Sequence, residues 1–222
     1  MPAATLSLLP DRAGLPRGRA ALSEAEVGAA HRARIMQAVT DEVAEVGYAR
    51  TTVAGITARA RISRTTFYQW FAGKEESFAA AHEAISEQLV QVIRERAATT
   101  PDSAWQDRIA LGVQALAHSL EARPTFARSY LVEVHGAGER LGQQRDRVVD
   151  RHARSLARVA GLAAAAGASV RIPTQWEVVG AIGATEELFA RQIRRTPPRR
   201  RLRLAGLVDP VVTIHTAVLR PL

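Results

Sequence analysis

The chain contains no cysteine, which excludes disulfides, a thiolate nucleophile and any Cys-ligated metal. Aromatic residues are scarce at 5%. No apolar run reaches the length of a membrane span. The amino-terminal region carries Arg12, Arg17 and Arg19 but no unbroken apolar stretch ending at a signal-peptidase site. A soluble, cytoplasmic protein with no membrane contact is the expectation. Catalytic signatures are missing too. There is no HExxH, no Gly-rich phosphate loop before a Lys, and no Gly-x-Ser-x-Gly elbow. His135-Gly136-Ala137-Gly138 has the letters of an oxyanion loop, but no strand precedes it, and helix termination accounts for it better. The histidines His31, His82, His118, His135, His152 and His215 are scattered, with no i, i+4 pair and no metal spacing. Neither an enzyme nor a cofactor or metal is expected.

What is present is enough for a real core. The 222 residues are 47% hydrophobic, rich in Ala and Arg, with a formal charge of +8. That charge suits a polyanionic partner through counterion release, although codon bias alone also produces arginine. Helical periodicity recurs along the chain, and no alternating β-rich stretch competes with it.

The most informative stretch is Ile62 to Lys74, ISRTTFYQWFAGK. Phe67, Trp70 and Phe71 recur at helical spacing, leaving Arg64, Thr65, Tyr68 and Gln69 toward the opposite side. Upstream, Val53, Ile56 and Ala60 make a shorter apolar pattern that meets it at Arg61 and Ile62. Two short helices joined by a tight turn, the second bearing hydrogen-bonding side chains, form a helix-turn-helix. Before them, Ile35, Val39, Val43 and Val46 mark a helix closed by Gly47. Ser23-x-x-Glu26 is a capping box for its start. Thr51 or Thr52 caps the next helix and Ser63 the third.

Residues 32 to 78 resemble the DNA-binding domain of TetR-family transcriptional regulators. The match runs through Ile35, Ala38, Val43, Gly47, Tyr48, Thr51, Thr52, Val53 and Ile56, then Ile62, Ser63, Thr66, Phe67, Tyr68, Phe71, Lys74 and Glu75. It covers about a fifth of the chain. Arg61 and Thr65 stand where the family often has Gly, and Trp70 where it often has His. At Arg61 the turn must adopt a conformation a non-Gly residue tolerates, or carry strain.

The expected organisation is all-α. Residues 1–22 form a flexible basic tail, which either lies along a minor groove or only solubilises. Residues 23–73 form a three-helix DNA-binding domain, and residues 74–222 a helical regulatory and dimerisation bundle. The first helix of that bundle, Lys74 to about Ala98 with Phe78, Ile85, Leu89 and Val92 as its stripe, is the connector. Further helices follow from Ser103 with Trp105, from Pro124, through Leu141 to Val159, from Thr174-x-x-Glu177, and from Asp209 as a cap with Pro210 in the first turn. The helices near 174–195 and 209–220 resemble by position the family's last two, which form a four-helix bundle across a two-fold axis. The dimer surface is therefore expected from Trp176, Val179, Ile182, Gly183, Phe189, Val211, Ile214, His215 and Val218, with Ala181, Gly183 and Ala184 permitting close approach. Between these helices Arg191, Arg194, Arg195, Arg199, Arg200, Arg201 and Arg203 surround Pro197 and Pro198, and read as an exposed solvated linker.

The resemblance implies an apolar effector cavity in the second domain whose filling moves the connector. Wall candidates are Trp105, His118, Phe126, Tyr130, Glu133, His152, Trp176 and Glu186. For DNA, Arg64, Thr65 and Gln69 are the base-edge residues. Thr51, Thr52, Tyr68 and Lys74 position the backbone, and Ser63 and Thr66 stand at the start of the reading helix. The expected function is a dimeric repressor on a palindromic operator, released by a small molecule of unknown identity. An activator or corepressor-dependent repressor would use the same fold. A ligand-binding or scaffold protein without operator recognition would keep the second domain but bind DNA weakly.

Overall fold

A computed structural model describes residues 24–101, 104–197 and 200–221. The expected tail (Arg12, Arg17, Arg19), the cap residues Ser23 and Ser103, and Pro198 and Arg199 lie outside the described residues. Nine α-helices occur among the described residues: α1 Glu24–Val46, α2 Val53–Ala60, α3 Arg64–Tyr68, α4 Lys74–Ala97, α5 Trp105–Ala122, α6 Pro124–Leu131, α7 Glu139–Ala165, α8 Gln175–Arg195 and α9 Val208–Ala217. Short 3-10 turns, Glu133–Gly136 and Ala205–Leu207, precede α7 and α9. None of these helices is long and apolar enough to cross a membrane.

The head is assembled around α1. Ile35, Val39 and Val43 are fully buried on its inner stripe. Gly47, at φ +84, lets the chain leave with its N–H bonded to Val43 O (2.9 Å). Thr52 then caps α2, its hydroxyl accepting from Gly55 N at 3.0 Å. The exit of α2 is a Schellman turn: Ile62 N donates to Thr57 O (3.1 Å) and Arg61 N to Ala58 O (3.2 Å). Arg61 occupies the left-handed position of that turn, at φ 54 and ψ 50. It is the one non-glycine residue with positive φ among the described residues.

Ser63 caps α3 by accepting from Thr66 N at 3.0 Å. The apolar spacing promised a longer helix, yet α3 ends at Tyr68. A mixed turn follows, with Trp70 N and Phe71 N both bonded to Phe67 O (3.0 and 3.1 Å). That turn tucks Phe71 into the core beside Phe67.

The connector α4 starts at Lys74 as its pattern predicts and buries Phe78, Ile85 and Leu89. It also buries Ser77, His82 and Ser86 on the same side. One apolar cluster runs from Ile35 in α1 to Leu219 after α9, so the core does not break at residue 73. Helix α6 is the reason, because it lies against α1. Arg123 donates to Gln37 Oε1 at 3.0 Å, and Glu133 Oε2 accepts from Tyr48 N at 3.4 Å.

Two helix starts differ from the sequence pattern. Helix α5 opens at Trp105 behind Ala104, with no side-chain cap. Helix α9 opens at Val208 directly from the 3-10 turn, so Asp209 sits inside the first turn rather than before it. There its carboxylate favours the helix through the macrodipole instead of a capping bond. The box at Thr174 and Glu177 is fully formed.

Candidate nucleic-acid interface and regulatory core

Helix α3 is held from below and open above. Phe67 and Phe71 are buried, whereas Ser63, Arg64, Thr65, Tyr68 and Gln69 are exposed and Thr66 is half-buried. Tyr68 is 56% exposed, with its ring edge-on to Phe67 at 5.4 Å. Its hydroxyl is thus presented outward from a rigid base. Thr52, at the start of α2, is exposed on the same head. Trp70 lies against α1, where its ring fills the space above Gly28.

Two backbone-positioning candidates are turned inward, which corrects their assignment to the DNA face. Thr51 is 2% exposed and gives its hydroxyl to Gly47 O at 3.0 Å. Lys74 folds its ammonium over the Tyr48 ring at 4.5 Å and donates to Tyr48 O (3.0 Å), Ala49 O (3.4 Å) and Thr51 O (3.0 Å). An ammonium has three donors, and these carbonyls take all of them. Lys74 therefore clamps the turn between α1 and α2, and a phosphate would have to compete for it.

An open groove of about 310 Å³ lies between α1, α4 and α7, lined by Arg32, Trp70, Glu76, Glu83, Arg140 and Arg147. A cleft of about 10 Å³ under α4, enough for roughly one water, is lined by His82, Tyr130, His135, Arg145 and Glu186 with Leu131, Val134 and Val148. Of the wall candidates, Tyr130 and Glu186 meet here. Glu186 is ion-paired to Arg145. Tyr130 stacks on His82 at 4.5 Å and shares a hydrogen bond with Ser86 (3.2 Å). Burial pushes Tyr130 up to about 12 and His82 down to about 3, helped at His82 by the charges of Arg145 and Arg151. His82 Nδ1 has no hydrogen-bond partner. Sequence reasoning missed His82 and Arg145, since nothing local marks a histidine on an apolar stripe as a member of a polar cluster.

The remaining wall candidates scatter. Trp105 and Phe126 are plain core, and His118 is exposed. Trp176 is 79% exposed, so it walls nothing within this chain. Glu133 faces the head, paired with Arg128 at 3.7 Å. His152 lies on α7 with Nε2 buried and unpartnered, and burial lowers it to about 4.

The dimer candidates divide by side. Ile182, Phe189 and Val211 are buried within the chain, which corrects their assignment to a surface. Trp176 is exposed. Val179, Gly183, Ile214, His215 and Val218 are half-buried. His215 shares a hydrogen bond with Thr185 (2.9 Å), and burial lowers it to about 4. Nothing stands within van der Waals reach of a Cβ added at Gly180 or Gly183, so this face of α8 is open. Among the described residues no group of three His, Asp or Glu could hold a metal.

Residues 35–81 match the family model described as bacterial regulatory proteins, tetR family. No curated protein matches the chain by sequence. Among solved structures, it is similar to the fatty acid degradation regulator FadR from Bacillus halodurans, at 18% identity and TM-score 0.70, over 83% of this chain and 93% of that one. It is also similar to FadR from Bacillus subtilis, solved in complex with stearoyl-CoA (16%, TM-score 0.69, over 82% and 96%). A tetR-family regulatory protein from Rhodococcus RHA1 is similar at 21% identity, with TM-score 0.64, over 86% and 98%. At these identities the likeness establishes the all-α architecture.

Proposed function

Because this chain carries the amino-terminal helix-turn-helix of the tetR family of bacterial regulators, we propose that it binds a palindromic operator as a homodimer and responds to a small molecule, acting as a repressor. The observation that carries the reading is the polar face of α3, Ser63, Arg64, Thr65, Tyr68 and Gln69, exposed above the buried Phe67 and Phe71. Arg64, Thr65 and Gln69 read base edges in the major groove. Tyr68, Thr52 and the start of α3 at Ser63 and Thr66 position the phosphates. Trp176, Val179, Gly183, Ile214, His215 and Val218 contribute to the two-fold interface, where small residues let helices approach closely.

The effector site lies beneath α4, in a cleft that must widen to admit a ligand and is lined by the buried His82 and Tyr130 with the half-buried Arg145. Such a lining favours a ligand with a hydrogen-bonding group over a bare acyl chain, since buried polar atoms need partners. It separates this chain from the relative bound to stearoyl-CoA. Selection from a pool of random duplexes tests the proposal. Recovery of a two-fold-symmetric site bound far above random DNA supports it, and the absence of any enriched site overturns it.

A further inference from the structure

The arginine run after α8 is not a loose linker. Its described part alternates, with Arg201 and Arg203 exposed and Leu202 and Leu204 buried at 1% and 0%. The Glu121 carboxylate, at the end of α5, accepts the N–H groups of Leu204 and Ala205 (the latter at 2.9 Å). A backbone with every second side chain anchored and a carboxylate on its amides is a strap with a fixed outer face.

Its place in the fold decides what that face meets. Helix α5 returns along α4, and just beyond its last residue Arg123 bonds to Gln37 of α1. The strap is pinned at this end of the regulatory half, against the head. Helix α7 begins beside the start of α4, where Arg140 approaches Glu76 at 4.0 Å, and runs away from it. Helix α8 comes back antiparallel, Gln175 meeting Asp150 (2.9 Å) and Glu186 meeting Arg145. The carboxyl end of α8, with exposed Arg191, Arg194 and Arg195, is thereby delivered to the same end. Arg194 pairs with Glu187 at 2.7 Å. Among the described residues Arg191, Arg195, Arg200, Arg201 and Arg203 have no carboxylate partner.

We propose that the strap, Arg200, Arg201 and Arg203 with Arg191 and Arg195 beside it, is a second DNA-binding surface that grips operator phosphates between the two half-sites. The proposal rests on the dimeric regulator reading above. The strap joins α8 to α9, the helices assigned to the two-fold interface, so two straps flank the symmetry axis on the side of the heads. The duplex between the half-sites crosses that axis. Unpaired guanidiniums there supply sequence-independent affinity and release counterions.

The test compares wild type, the triple variant R200Q/R201Q/R203Q, and a control of equal charge loss, R96Q/R154Q/R158Q, at exposed sites on α4 and α7. Binding to the selected operator and to a random duplex is titrated across salt concentrations, with thermal midpoints confirming intact folds. The expected result is a salt slope smaller by about 0.9 for each phosphate that the variant no longer neutralises, hence by about 2 or more for the dimer. Affinity for operator and random DNA should fall by the same factor, with little change in the control. A slope equal to wild type, or one matched by the control, overturns the strap while leaving the regulator reading intact. Failure of the wild-type protein to bind any duplex removes both.

Discussion

Two side chains on the head illustrate how similar chemistry is put to different use. Arg64 stands on the exposed face of α3, with no partner holding it inward. Arg64→Ala is expected to weaken the cognate operator by about 1–3 kcal/mol and random DNA much less, in a paired titration. Equal losses would make Arg64 a phosphate contact. Lys74 points inward, onto three carbonyls. Lys74→Ala should cost about 1.5–3 kcal/mol of stability, less to the extent that water reaches the half-buried ammonium. A lowered denaturation midpoint with an unchanged salt slope for DNA is the expected pattern. The reverse would return Lys74 to the phosphates.

Among elements, the turn between α2 and α3 carries a cost that sequence comparison pointed to and geometry locates. Its hydrogen bonds require the left-handed conformation at one position, and that position holds Arg61. A side chain there costs about 1–2 kcal/mol relative to glycine. Arg61→Gly is therefore expected to stabilise the protein by roughly 1 kcal/mol, read as a raised midpoint in urea. A neutral or lowered midpoint would mean that the guanidinium gains something here that offsets the strain. Helix α3 itself is only Arg64–Tyr68. Five residues cannot hold a helix by propensity, so its orientation depends on Phe67 and Phe71 being buried.

Across the whole molecule, burial of histidine makes stability depend on acidity. His82 is held neutral by burial and by nearby guanidiniums, at about 3, and His152 and His215 are lowered to about 4. Their unfolded values are near 6.5. The stabilisation is complete above that value and is lost as pH falls toward the folded values, because only the unfolded chain takes up the protons. Each imidazole should contribute a slope of about 1.4 kcal/mol per pH unit within that window. Thermal midpoints should decline steeply from pH 6.5 to 4.5, and His82→Gln should flatten the decline. A profile flat to pH 4.5 would mean that the imidazoles are solvated.

The sequence by itself determined most of the elements and which side of α3 is polar and exposed. Apolar residues at helical spacing, Thr52, Ser63 and the Thr174–Glu177 box, and Gly47 act over one or two turns, so a linear pattern specifies them. The connector's start at Lys74 and the burial of Phe67 were legible for the same reason. Only the tertiary structure decided which polar side chains remain free. Lys74 shares the head with Arg64, yet its partners lie on a turn more than twenty residues earlier. His82 meets Tyr130 and Arg145 across three helices, and Glu121 fixes a strap 83 residues away in sequence. Those pairings exist because packing brings distant faces together, and no periodicity in the chain encodes where two such faces meet.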